Sequence, residues 1–172
     1  LNYILNHPHP PSLIGFICNF KASPRYVEIN KLKELLEINK KQSKYVAVIV
    51  KNDLATLEKI KDLPFDYYQL YDCSPNEIKE IKEKYEKKII TALTIKNIDD
   101  VINYKNYENV SDIILFDGPG MAESIGFNHD LLNKVPEHIS KMIAGNIKVE
   151  DLPNFKNKDL ILDVSGSLEN QR

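Results

Sequence analysis

Short apolar runs rich in β-branched residues return along this chain about once every 25 residues, the size of one strand-helix unit. They occupy Leu13 to Asn19, Tyr45 to Lys51, Tyr67 to Asp72, Lys88 to Thr94, Asp112 to Asp117, Lys141 to Asn146 and Leu160 to Ser165, which makes seven candidate strands. Most are continuously apolar rather than alternating, as strands are when both faces of a parallel sheet are covered. Helix patterns lie between them. Leu32, Leu35 and Leu36 recur at i, i+3, i+4, and Ile78, Ile81 and Tyr85 at i, i+3, i+7, with lysines and glutamates on the solvated face. Ser74, Pro75 and Glu77 spell a capping box with proline at the first helical position, and Asp53 and Asn97 stand where neighbouring helices need caps. Phe127 to Lys134 and Val149 to Asn154 are shorter helical segments, the second limited by Pro153.

Strict strand-helix alternation means a parallel α/β fold, either an open sheet or a barrel. An open doubly wound sheet usually carries a glycine-rich first turn for a nucleotide, and none of the six glycines here forms GxGxxG. The barrel is favoured. A complete (β/α)8 barrel needs at least about 200 residues, so 172 residues with seven strands leave the first strand and the last helix missing. The chain starts at Leu1 and stops at Asn170-Gln171-Arg172, and the expectation is one barrel domain over residues 1–172, trimmed at both ends, whose two free strand edges should pair with something.

Composition narrows the function. A hydrophobic share of 42% excludes disorder, and a net charge of -2 gives no reason to expect a nucleic acid partner. No apolar run approaches the roughly 18 residues of a membrane span, and no basic-then-apolar leader opens the chain. Cys18 and Cys73 are too few for a disulfide framework and fall in no metal-ligand spacing, so a protein of the reducing cytoplasm is expected. His7-Pro8-His9-Pro10-Pro11 reads as a stiff linker rather than a metal site, and His129 and His138 fit no HExxH-like spacing. Cys73 begins a helix, where a thiol pKa can fall, although packing is the plainer reading.

In such barrels function gathers at the C-terminal ends of the strands, here Cys18, Asn19, Tyr71, Asp72, Thr94, Asp117, Gly145, Asn146 and Ser165. The last two ends, Ala144-Gly145-Asn146 and Ser165-Gly166-Ser167, place small residues where backbone N–H groups can converge on a phosphate; the plain alternative is a pair of ordinary turns. Asp117 ends an apolar run and precedes Gly118-Pro119-Gly120, so its carboxyl is either a general acid at the barrel mouth or a loop cap. Arg25 follows the first visible strand in a proline-stiffened loop and either pairs with a carboxylate or is solvated.

Gly15-Phe16-Ile17 and Ser23-Pro24-Arg25-Tyr26-Val27 resemble the GFIF…SPRYV pattern of the phosphoribosylanthranilate isomerase family of tryptophan biosynthesis. The likeness continues in order through Val46 to Val50, Tyr68-Gln69-Leu70, Leu115-Phe116-Asp117, Ala144-Gly145 and Asp163-Val164-Ser165. It implies an Amadori rearrangement of N-(5-phosphoribosyl)anthranilate to 1-(o-carboxyphenylamino)-1-deoxyribulose 5-phosphate, on a small phosphosugar substrate, without cofactor, by a monomer or homodimer. By matching, Asp117 would be the acid, Arg25 would hold the anthranilate carboxylate, Gln69 would line the pocket, and Gly145, Asn146, Ser165, Gly166 and Ser167 would grip the phosphate. The family's base is a cysteine in a KICG-type motif on a first strand that this chain does not contain, and Cys18 lies elsewhere, within the GFIC segment. The chain by itself is therefore expected to have little activity. Further departures are Leu70-Tyr71-Asp72 for LHG, Ala144-Gly145-Asn146 for AGG, and Ile125-Gly126-Phe127-Asn128-His129 for GKTFDW. A relative that binds a phosphate ligand or a partner without catalysis, or another phosphosugar barrel enzyme, are the alternatives.

Overall fold

The computed structural model describes residues 1–119 and 125–168. Gly120 of the expected Gly118-Pro119-Gly120 turn, and the tail from Glu169, lie outside the described residues. All seven expected strands are present: β1 (Leu13–Ile17), β2 (Lys44–Val50), β3 (Tyr67–Tyr71), β4 (Lys88–Thr94), β5 (Ile113–Asp117), β6 (Lys141–Ile143) and β7 (Ile161–Leu162). By internal packing the chain divides into two compact units, Leu1–Ile89 and Ile90–Arg172.

In the first unit β1, β2 and β3 pair in parallel, with Ile17 beside Val48 and Val48 beside Gln69. The helices α2 (Ile29–Leu36), α3 (Leu54–Ile60) and α4 (Pro75–Tyr85) follow the three strands, and they bury the residues the helical spacing selects: Leu32 and Leu36, Leu57 and Ile60, and Ile78, Ile81 and Tyr85. The expected caps are formed. Asp53 accepts from the Thr56 N–H, and Ser74 and Glu77 close the reciprocal capping box. Phe16, Tyr45, Phe65, Tyr68 and Tyr85 make successive edge-on ring contacts between the strands and their helices. Asn2–Leu5 form a short helix, α1, and bury Leu5, which is only 2% exposed. Propensity could not announce a four-residue helix without a side-chain cap; burial of one leucine holds it.

In the second unit β4 to β7 also pair in parallel. One side of these strands packs Leu93, Ile114, Phe116 and Ile143 against Val101, Tyr104, Leu132 and Phe155. Here the sequence expectation overshoots. Strand β6 stops at Ile143 rather than Asn146, because Gly145 and Asn146 take φ of 96° and 51°, which no strand can continue. Only Ile161 and Leu162 of the seventh run pair as a strand. The segment read as a helix from Phe127 is a 3₁₀ turn, His129–Lys134, and the one after β6 is a 3₁₀ turn, Val149–Asp151, running into the four-residue α6 (Leu152–Phe155); α5 (Ile98–Ile102) is caught by Asn97. No described helix is long and apolar enough to cross a membrane.

Candidate active site

Asp117 closes β5. Since Ile114 and Phe116 point into the helix-side core, strand alternation sends Ile113, Leu115 and Asp117 to the opposite face. Thr94 lies directly beside Asp117. On the other side the Ala144 N–H donates to the Phe116 carbonyl at 2.9 Å, and the Asp163 N–H donates to the Ile143 carbonyl at 2.8 Å. Continued by one residue, this register sets Asp117, Ala144 and Asp163 in one row across three strands, with Ala144 between the two acids.

The consequence is electrostatic. Asp163 keeps some surface in solvent, but its carboxyl is closely surrounded by protein; burial first, and the Asp117 charge second, push its pKa up to about 6. The negative charge of Asp117 thus disfavours ionisation of Asp163 and holds its proton to higher pH. Asp163 is a site residue that the residue-by-residue reading did not single out. Its signal was an acidic residue inside an apolar run, Leu160 to Ser165.

The glycines beside Asp117 mark close backbone contact. A Cβ at Gly118 would sit 1.6 Å from the Ile125 carbonyl oxygen, and one at Gly145 would sit 2.8 Å from both that oxygen and the Gly118 nitrogen. The chain leaving β5, the returning segment at Ile125 and the turn after β6 therefore touch through their main chains. Gly145 and Asn146 shape that turn with two successive positive φ values, Asn146 being exposed. The short helical segment expected behind it is a 3₁₀ turn, Val149–Asp151, running into the four-residue α6. After β7, Ser165 is exposed and Gly166–Leu168 form a 3₁₀ turn, in which the Leu168 N–H donates to the Ser165 carbonyl at 3.1 Å.

In the first unit, Ser23 to Tyr26 form a turn, its Tyr26 N–H donating to the Ser23 carbonyl at 3.1 Å and its Arg25 N–H to the Ser23 hydroxyl at 3.2 Å. Tyr26 bridges to Ile17 as a short parallel pair, and the Val27 N–H donates to the Ile17 carbonyl. The half-buried Arg25 is thereby fixed to the end of β1. Gln69 is buried and donates from Nε2 to the Tyr71 hydroxyl at 3.2 Å. Asn19 is structural: its Nδ2 donates to the Val50 carbonyl and to Asp53, and its Oδ1 accepts from the Val50 N–H.

Neither cysteine is a reactive thiol. Cys18 donates to the Phe16 carbonyl and Cys73 to the Tyr71 carbonyl, and burial pushes both pKa values up to about 12. The possibility of a lowered pKa at Cys73 is thus reversed by its surroundings, with Glu77 and Asp72 adding repulsion. No group of three histidine, cysteine or acidic residues suited to a metal occurs among the described residues. A cavity of about 180 Å³ lined by Glu108, Ser111, Asp112, His138 and Ser140 opens at the N-terminal ends of β5 and β6, the end away from Asp117.

Residues 11–171 match the family model described as N-(5'-phosphoribosyl)anthranilate (PRA) isomerase. No curated protein sequence matches the chain. Among solved structures, a phosphoribosyl anthranilate isomerase in complex with reduced 1-(o-carboxyphenylamino)-1-deoxyribulose 5-phosphate superposes with a TM-score of 0.76 at 18% identity, covering 94% of this chain and 79% of that one. The Thermotoga maritima enzyme gives 0.79 at 17% identity, covering 94% and 80%. The Pyrococcus furiosus enzyme gives 0.73 at 19%, covering 92% and 80%. At these identities the likeness establishes the TIM-barrel type of α/β fold, of which this chain supplies seven strands.

Proposed function

The chain belongs to the N-(5'-phosphoribosyl)anthranilate isomerase family of tryptophan biosynthesis, and we propose that Asp117, paired with Asp163, supplies the acid of its Amadori rearrangement. The reaction needs a proton on the ribose ring oxygen, so that the C1–O bond breaks and the ring opens to a Schiff base. Removal of the C2 proton then gives an enolamine, which becomes the ketone. An acid that works near neutrality must still hold its proton there. Asp117 stands at the C-terminal end of β5, on the face opposite the helix-side core, and that placement is the observation that carries the assignment; its charge is felt at Asp163, whose pKa burial and Asp117 push up to about 6.

The other roles follow residue by residue. Arg25 would take the anthranilate carboxylate through its two-pronged guanidinium, with Gln69 lining the ring pocket. Gly145, Asn146, Ser165, Gly166 and Ser167 would hold the phosphate, whose binding aligns the reacting carbons. Cys18 and Cys73, protonated and enclosed, take no part in removing the C2 proton. That last point also favours one competing reading, a relative that binds the phosphosugar without turning it over.

Two measurements separate these. The reduced ribulose phosphate analogue, titrated calorimetrically, should bind the wild-type chain and bind Arg25→Ala more weakly. Turnover, followed by loss of substrate fluorescence in the chain extended upstream by the strand that carries the family's cysteine, should fall by about 10²- to 10⁴-fold in Asp117→Asn, the usual worth of a positioned proton donor. Analogue binding with no turnover in any form supports the binder; equal turnover in wild type, Asp117→Asn and Arg25→Ala overturns the assignments.

A further inference from the structure

His129 sits between two phenylalanines. Its imidazole centroid is 4.8 Å from that of Phe127, edge-on at 86°, and 5.2 Å from that of Phe155. Nε2 is buried and has no hydrogen-bond partner among the described residues. An orphaned buried nitrogen is a cost that an aromatic hydrocarbon would avoid, so packing alone does not account for a histidine here.

The two rings belong to the two walls of the turn described above. Phe127 directly follows Ile125 and Gly126, whose backbone rests on Gly118 and Gly145. Phe155 ends α6, the helix that follows Gly145 and Asn146. The imidazole thus joins the segment covering the turn to the helix leaving it. Among the described residues, the charged groups that face it are Asp130 on its own 3₁₀ turn, Asp151 at the start of α6, and Lys158 beyond α6, whose Nζ also lies 5.9 Å from the Phe155 centroid. The two acids favour an imidazolium and Lys158 opposes it, but burial is the largest influence and holds the pKa below its ordinary value.

We propose that neutral His129 is a positioning residue that clasps Phe127 to Phe155 and keeps the Gly145–Asn146 turn set for an anion, and that its protonation loosens the turn and releases the anion. The proposal rests on the reading of that turn as the phosphate site. An imidazolium needs water or an acceptor, which the two rings do not provide, so charging it favours the parted arrangement.

Sulfate is a suitable probe because its charge is constant between pH 5 and 8. With the whole chain, sulfate affinity should fall by up to about tenfold per pH unit below the His129 midpoint, the limit for one linked proton. His129→Phe and His129→Gln should both remove that component; what slope remains belongs to Asp163, which titrates in the same range. By NMR, the His129 ring and the Gly145 amide should share one midpoint. Charge attraction alone would have the opposite sign, tightening sulfate at low pH, and that result overturns the proposal. So does an unchanged pH dependence in both variants, or separate midpoints for His129 and Gly145. Failure of sulfate to bind at any pH would reject the phosphate reading of the turn, while the shared or separate midpoints would still decide the clasp.

Discussion

The two units are built from the same strand-helix plan and differ in how much of it they keep. Strands of the first unit run for five to seven residues and its main helices for seven to eleven. In the second, β6 has three paired residues, β7 two, and the segments after β5 and β6 are 3₁₀ turns and a four-residue helix. The regular unit satisfies its backbone in ladders and capped helices. The irregular one turns its backbone through positive φ at Gly145 and Asn146 and encloses Asp163 where burial and the Asp117 charge raise its pKa, costs to stability that a binding site can require.

Alanine at glycine should expose this contrast most strongly. Gly118→Ala puts a methyl 1.6 Å from a backbone oxygen that no side-chain rotation can move aside. The covering segment must shift, and the expected loss is about 4 kcal/mol, at the high end for single substitutions. In the first unit the Cβ of Gly15→Ala would meet only the Val48 methyl Cγ2, at 3.3 Å, for an expected loss of less than about 1 kcal/mol. Urea unfolding of both variants checks the pair, and equal losses would remove the distinction between the two backbones.

The next effect is smaller and has opposite signs in the two units. Folded Asp163 holds its proton to about pH 6 against an ordinary value of 3.8, so the folded state is favoured at low pH and that advantage is lost as pH rises through about 6. The difference corresponds to roughly 3 kcal/mol. Asp163→Asn should therefore melt near wild type at pH 4 and higher than wild type at pH 7, with turnover reduced. Asp53 behaves in reverse: burial alone would raise its pKa, but hydrogen bonds from Thr56 and Asn19, with the Lys59 charge, lower it. Its stabilisation is present above 3.8 and lost as pH falls, so Asp53→Asn should melt lower than wild type at pH 7, with the gap narrowing at pH 3. Melting curves that shift in the same direction for both variants would contradict the paired assignment.

What was legible in the sequence divides along the same line. Leu32, Ile78 and Ile81 declare their helices because periodicity and burial agree, and Ser74 and Asn97 declare the starts because the caps are local chemistry. Seven strands and the position of Asp117 at a strand end followed from the apolar runs alone. The end of β6 did not, since nothing in Met142-Ile143-Ala144 shows that Gly145 and Asn146 will turn the chain left-handed one residue later. Nor could spacing reveal that Asp163 faces Asp117 across Ala144, because that depends on the register of three strands. At Cys73 the plainer reading, packing, is the one the structure supports. A helix start lowers a thiol pKa only if solvent or positive charge is near, and its neighbours are Glu77, Asp72 and protein.

The smallest expected effect concerns the caps, and it asks whether regularity itself stabilises the first unit. Ser74 accepts from the Glu77 N–H and its own N–H donates to the Glu77 carboxylate at 2.7 Å, at the head of an eleven-residue helix that buries Ile78, Ile81 and Tyr85. Removing that side chain orphans an N–H donor at the start of a helix whose apolar face is already engaged, so Ser74→Ala should cost about 1 kcal/mol. Asn128 makes the equivalent bond to the Asp130 N–H in the second unit, but it heads a six-residue 3₁₀ turn that buries only Leu132. There the unpaired donor can turn to water with little else disturbed, and Asn128→Ala should cost no more than about 0.5 kcal/mol. A larger loss at Asn128 than at Ser74, by urea unfolding, would mean that the short turns are as firmly built as the long helices, and that the second unit's irregularity is not a concession of stability.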